Sequence, residues 1–229
     1  MKRSILKTFQ KQHWLMSLLL IMFMSVFSYS LTVQDIKNQM LQYKESIESL
    51  KADFTMEIKG SGHSNSVQKG NLSYTKSGGT VMEYKEPANA KMEIRPNGAY
   101  YFNGKYQGVM TNSYQMADLF FEFYFNSYDL KVEKEDEDRV ILLGYEKTSD
   151  VQKVLRKKVL RMVYDKKLKA FSSIRYLGTG KDYPYEVNIN YQIIQDIPIV
   201  KTMTTMVSAY SISVNSTYSL QNVSIVKRE

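Results

Sequence analysis

A mainly β fold is what this 229-residue sequence predicts: one large antiparallel sheet that curls on itself and carries two or three helices. Three observations lead there. From Asp53 to Met110, and again from Tyr128 onward, apolar and polar residues alternate, the mark of strands with one greasy and one wet face. The runs are separated by Gly60-Ser61-Gly62, Ser77-Gly78-Gly79, Pro87 and Pro96-Asn97-Gly98, all turn formers. Helical character is strongest in two stretches, Ile36–Leu50 and Met116–Phe125. The count comes to about eleven to thirteen strands, and a sheet of that size has to curl or close to protect its edges.

The first 30 residues stand outside this pattern. Lys2, Arg3, Lys7 and Lys11 precede an apolar run from Trp14 to Phe27, and Ser28-Tyr29-Ser30 places small residues at a cleavage site. This is the layout of a secretory signal peptide. The run is ~14 residues long, short of the ~20 a spanning helix needs. Residues 1–30 are therefore expected to be cleaved, leaving residues 31–229 as one exported domain. Four of the 31 Lys and Arg belong to this leader, so 27 basic against 23 acidic residues remain, a net +4 rather than +8. The densest basic run, Lys153–Arg161, alternates with Val154, Leu155, Val159 and Leu160. It reads as the wet side of a strand, and no nucleic-acid partner is expected.

Taken in order, the exported part begins with a helix. Thr32 and Asp35 have capping-box spacing. Ile36, Met40, Tyr43, Ile47 and Leu50 recur at steps of four and three, one apolar stripe along about five turns. The strands Asp53–Lys59, Gly70–Thr75, Thr80–Lys85, Lys91–Arg95 and Ala99–Met110 follow, the last folded at Asn103-Gly104. Gly60–Lys69 reads as a long polar loop. The segment Met116–Phe125 is aromatic almost all round and has Asn112 or Ser113 as a cap. Met116, Phe120, Phe123 and Tyr124 share one side of a helix, while Leu119 and Phe121 face elsewhere. Such a helix must be covered on more than one side. A lid over the mouth of a curved sheet satisfies this, and so does a deeply buried core helix.

Strand patterning returns at Tyr128–Lys134, Arg139–Glu146, Val154–Tyr164 and Leu168–Leu177. Val187, Ile189, Tyr191 and Ile193 then alternate strictly, and Ile199–Ala209 and Ser211–Val226 close the chain. Pro198 has to sit at a strand start or edge.

Composition excludes much chemistry. With no cysteine there is no disulfide, no lipid-modified cysteine and no thiol catalysis. His13 lies in the leader and His63 stands alone in a Gly/Ser/Asn stretch, so neither a triad nor a zinc site can be assembled. No G-x-S-x-G, P-loop or G-x-G-x-x-G occurs. The Asp136/Asp138 pair reads as turn residues rather than hydrolytic carboxylates. No catalytic residue, metal or cofactor is expected. The 13 Met, 18 Tyr and 10 Phe do stand out. On an inner face, Met and Tyr adapt to a flexible aliphatic ligand, and they also fill ordinary cores.

Several segments together resemble the LolA family of periplasmic outer-membrane lipoprotein carriers. The first helix runs into Asp53-Phe54-Thr55, similar to the family's "xSFTQ" strand. Gly70-Asn71-Leu72-Ser73-Tyr74-Thr75-Lys76 resembles its "G-x-L-x-x-K" strand, and Val81-Met82-Glu83-Tyr84-Lys85-Glu86-Pro87 its "F-x-W-x-x-x-x-P" strand. Asn97-Gly98-Ala99-Tyr100-Tyr101-Phe102 resembles "D-G-x-x-L-W-x-Y". Val163–Ser172 is similar to a late hairpin, and Tyr218–Val223 to a late strand of the wider lipoprotein-sorting group.

The resemblance implies an open, incomplete antiparallel β-barrel of about 11 strands, lidded by helices. It also implies an apolar cavity for lipoprotein acyl chains. Phe54, Met56, Ile58, Leu72, Tyr74, Met82, Tyr84, Met92, Ile94 and Tyr101 become cavity candidates. Met116, Leu119, Phe120, Phe123 and Tyr124 become lid candidates. The implied protein is a monomeric periplasmic carrier served by an inner-membrane delivering complex and an outer-membrane acceptor. One departure concerns the lid. The family commonly carries an Arg-Pro after its "G-x-L-x-x-K" strand, whereas Lys76 is followed by Ser77-Gly78-Gly79. A second reading is an envelope sensor of the same fold that binds a periplasmic protein segment or free lipid.

Overall fold

In the computed structural model, which describes residues 30–61, 63–109, 121–147, 159–177, 185–209 and 212–228, the chain from Thr32 onward forms one unit. Helix α1 (Val33–Ser46) opens it. The Thr32 hydroxyl accepts from the Asp35 N–H at 3.1 Å, and the Asp35 carboxylate accepts from the Thr32 N–H at 2.9 Å. This is the reciprocal cap that the spacing predicts.

Strand β1 (Ile47–Gly60) follows α1 without a linker, so the helix ends short of the expected Leu50. Ile47 and Leu50 are both buried, yet they lie on either side of a register shift between Ile47 and Ser49. A bulge adds one residue to a strand, so two buried strand residues fall three apart and imitate a helical step. Strand β2 (His63–Thr75) corrects the second expectation, since most of the supposed Gly60–Lys69 loop is paired strand. The ladder uses only backbone groups, and polar side chains do not prevent it. Its inward positions there, Gln68 and Ser66 opposite Met56 and Ile58, are polar and only half-buried, so this part of the ladder runs past the core.

A meander continues through β3 (Gly79–Glu86), β4 (Ala90–Ile94), β5 (Ala99–Phe102) and β6 (Lys105–Val109). After residues 110–120, helix α2 (Glu122–Ser127) leads into β7 (Tyr128–Glu135) and β8 (Arg139–Glu146). The rest is β9 (Val159–Asp165), β10 (Ala170–Tyr176), β11 (Tyr185–Ile194), β12 (Ile197–Ala209) and β13 (Ile212–Lys227). Gln195 and Asp196, both at positive φ, make the turn into β12, and Pro198 sits at its start opposite Ile193. The leader, the Asn112/Ser113 caps, Met116, Leu119 and Phe120 lie outside the described residues. So do the connections at 148–158 and 178–184.

All the strands form one antiparallel sheet in the order β6-β5-β4-β3-β2-β1-β13-β12-β11-β10-β9-β8-β7. Read as a circle, that order follows the chain, and among the described residues no pairing joins β6 to β7. The seam therefore lies between β6 and β7, the strand that follows α2. Helix α1 shows how far the sheet curls. Glu45 is ion-paired to Lys76 at the end of β2, and Gln39 accepts a hydrogen bond from Tyr164 on β9. In a flat sheet those strands, six places apart, would be separated by about 29 Å. Six helical residues rise only about 9 Å. Both halves of the sheet therefore turn towards the same helix. The architecture is an open β-barrel with two helices on its inner side.

Candidate ligand-binding face

Alternation decides which side chains face inward. Leu50, Ala52 and Phe54 stand opposite Tyr74, Leu72 and Gly70, and Leu72 is followed across the sheet by Met82 and Met92. Further round, Met56 opposes Tyr218, which opposes Met203, which opposes Ile189. Val187, Ile174, Met162 and Leu142 continue that face on β11 to β8. Among the described residues, Thr80 is the one buried polar residue, no buried charge occurs, and no group of carboxylates and histidines is set to hold a metal.

The two halves of this face are covered unequally. Helix α2 fills the half made by β7 to β10. Phe121 and Phe125 lie on Phe171 with ring centroids 5.8 and 5.9 Å away, and the Tyr176 hydroxyl donates to that of Tyr124 at 3.4 Å. There the inner face is buried along its length, from Tyr164 and Phe171 to Leu160 and Tyr176. On the other half, burial stops partway. Phe54, Met82, Tyr218 and Met203 are buried, but Met56, Ile58, Tyr84, Thr205, Val207 and Val214, further towards the Gly60 end, are only half-buried. A wall is thus left half-open, where Gln68, Ser66, Ser216 and Thr205 stand among Met56, Ile58 and Val207, and its floor of Phe54, Tyr218, Met203 and Ile189 is apolar.

Gly70 shapes this floor. A side chain at that position would meet the Glu83 carbonyl and the Phe54 ring, and the bare backbone instead lets Phe54 and Tyr84 touch edge to face at 5.1 Å. Phe54 also stacks on Tyr218 at 6.1 Å. Burial pushes the hydroxyls of Tyr164, Tyr176, Tyr191 and Tyr218 far above the ordinary tyrosine range. Tyr74 is pushed up to about 12, first by burial and then by the charges of Glu45, Glu122 and Glu48. Any ligand on this face meets neutral phenols.

Of the cavity candidates, Phe54, Met56, Ile58, Leu72, Tyr74, Met82, Tyr84, Met92 and Ile94 share the inner side of β1 to β4. Tyr101 does not. Ile94 pairs with Tyr100, so Tyr100 is the inward residue of β5 and Tyr101 shares the outer side with its partner Glu93. There Tyr101 holds the Arg95 guanidinium over its ring at 4.3 Å and the Tyr106 ring at 5.5 Å. Of the lid candidates, Phe123 and Tyr124 belong to α2. Tyr218, Met203 and Ile189 are additions to the site. Their strands show the same alternation as β1, but only the pairing of β13 with β1 reveals that they join it.

Two ion pairs hold the helices. Lys44 of α1 pairs with Glu122 of α2, and Lys76, next to the missing Arg-Pro, pairs with Glu45 of α1. The Lys76 hydrogen bond, then its charge, holds the Glu45 carboxyl below its usual range. A depressed carboxyl stabilises the fold above its unfolded value and loses that contribution as pH falls. Hydrogen exchange at the 74–79 turn is therefore expected to quicken as pH drops below 4.5, after correction for the intrinsic rate. Glu45→Gln should remove that dependence, and an unchanged pH profile in the variant contradicts the assignment.

No family model matches the sequence, and neither does any curated protein. Solved structures do match by shape. A DUF1329 family protein from Desulfovibrio piger superposes with a TM-score of 0.62 at 12% identity, covering 83% of this chain and 90% of its own. A LolA superfamily protein from Nitrosomonas europaea gives 0.59 at 8% identity, with 87% and 96% covered. A domain assigned to outer membrane lipoprotein sorting, from Vibrio parahaemolyticus, gives 0.54 at 11% identity, with 83% and 91% covered. Three proteins so distant in sequence superpose over most of their length, and the fold of the chain is LolA-like.

Proposed function

We propose that this protein is a carrier that takes the acyl chains of lipoproteins onto the half-open inner face and ferries them through the periplasm towards the outer membrane. The observation that carries the reading is the unequal cover of that face. One half is plugged by the aromatic residues of α2, and the other leaves a half-open wall with an apolar floor and, among the described residues, no buried charge. Met56, Ile58 and Tyr84 line the entrance to this wall, and Phe54, Leu72 and Met82 lie deeper. Each CH₂ moved from water onto it contributes about 0.8 kcal/mol, so one or two chains supply ample affinity. Phe123 and Tyr124, with the preceding Met116, Leu119 and Phe120, act as the lid. Nothing in such a site expels a chain, so release falls to an acceptor at the outer membrane. Loading falls to a complex at the inner membrane. Residues 1–30 serve as the export signal, and the monomer is the working form.

Mass spectrometry of the purified protein is expected to find copurified acylated lipid. Met56→Asp places a charge on the half-buried wall, where the fold tolerates it, and should weaken binding of a fluorescent fatty-acyl probe at least tenfold. Protein that carries no lipid, together with probe binding indifferent to Met56→Asp, counts decisively against the carrier reading.

A further inference from the structure

The phenols of the inner face are not used alike. Tyr164 donates to Gln39, Tyr176 to Tyr124 at 3.4 Å, and Tyr191 to the Phe171 carbonyl at 2.7 Å. All three stand on β9 to β11, and two of them on the half that α2 covers. Tyr218 stands on the other half, at the floor of the half-open wall, between Met56 on β1 and Met203 on β12. It is only 1% exposed, and its hydroxyl has no hydrogen-bond partner among the described residues. A buried phenol without a partner is a cost that folded proteins rarely carry without a reason. Replacing it with phenylalanine would remove that cost and keep the ring on Phe54.

We propose that Tyr218 is a specificity-determining residue whose hydroxyl donates to the carbonyl oxygen of a bound acyl ester or amide. This rests on the carrier reading and adds the ligand's chemistry to it. The neutral phenol offers one O–H donor. Its ring stacks on Phe54, its register partners are Met56 and Met203, and the Tyr84 phenol is near enough to act on it; in a site this buried a hydrogen bond is electrostatically stronger than in water. A plain hydrocarbon tail leaves the donor unsatisfied. An ester- or amide-linked chain lying along the wall, with its carbonyl at this level, satisfies it. The wall is then selective for acyl groups over alkyl groups of the same length.

The test compares two fluorescent probes with identical tails, one joined through an acyl ester and the other through an alkyl ether that lacks the carbonyl. Wild-type protein should prefer the ester. Tyr218→Phe should lose about three- to tenfold in affinity for the ester, the range of one net hydrogen bond, and stay within about twofold for the ether. The apo variant should melt no lower than wild type, because no partner in the protein is lost. Equal shifts for both probes, or none, overturn the assignment of Tyr218 and leave the carrier reading standing. A lowered melting temperature with no probe discrimination shows instead that the hydroxyl serves a structural water. Binding of neither probe to wild-type protein overturns both readings.

Discussion

Gly70→Val should destabilise the domain by about 3 kcal/mol or more, which is beyond the usual range for a surface strand position. A Cβ at this site would lie 2.0 Å from the Glu83 carbonyl oxygen and 2.8 Å from a ring carbon of Phe54. The first of these neighbours is backbone, so relief requires β3 to move rather than a side chain to rotate. β3 is held on both sides, by β2 from Thr75↔Gly79 onward and by β4 from Thr80↔Ile94 to Tyr84↔Ala90. Overpacking alone costs about 1–3 kcal/mol, and a displaced ladder adds to it. Urea denaturation checks the value. The same variant should also disturb the site, because the contact between Phe54 and Tyr84 depends on the space above Gly70. Gly104 is the internal control. It has no heavy atom within 4 Å of a would-be Cβ, but its φ of +77° favours glycine, so Gly104→Ala should cost a backbone penalty only, about 1 kcal/mol. If Gly70→Val unfolds no more easily than Gly104→Ala, the close approach at Glu83 is not real.

The parts of this fold that could be read from the residues are those in which local pattern and tertiary structure agree. Phe54, Leu72 and Met92 alternate with polar neighbours, and they do face inward. Where a local irregularity intervenes, the pattern misleads. The bulge after Ile47 turned a strand spacing of two into three and lengthened the expected helix. The polar composition of Gly60–Lys69 concealed strands that extend past the core and need no apolar face. In Tyr100-Tyr101-Phe102 every residue is aromatic, so composition cannot tell which is inward. The turn at Pro96-Asn97-Gly98 sets the register, and the register selects Tyr100. Tyr218 was out of reach for another reason. Its neighbour Met56 is more than 150 residues away in the chain, and only closure of the β1–β13 pair brings them together. A binding face assembled across such a pairing cannot be collected from any single stretch, however regular its alternation.

Phe171→Ala is the substitution expected to separate the plug from the wall. Phe171 is fully buried on β10, and the rings of Phe121, Phe125 and Tyr164 all lie against it at 5.7–5.9 Å. Truncation of a buried phenylalanine costs about 3–5 kcal/mol, and here the loss falls on one small element. Helix α2 has six residues, no side-chain cap and a left-handed Phe121 at its start, so it has little helical stability of its own. Its position depends on packing against Phe171, the link from Tyr176 to Tyr124 and the Lys44–Glu122 ion pair. Without the first, amides of Glu122–Ser127 should exchange much faster, while those of β1, β2 and β13 keep their protection in proportion to the global loss. Ligand binding then decides what α2 does. If α2 gates access to the apolar face, Phe171→Ala should speed both association and release of an acyl probe, with a smaller change in equilibrium affinity. If α2 only fills a core, exchange across the whole sheet rises together and the probe kinetics stay as they were. The first outcome makes α2 the moving part of a carrier. The second confines the ligand to the half of the face that Tyr218 floors.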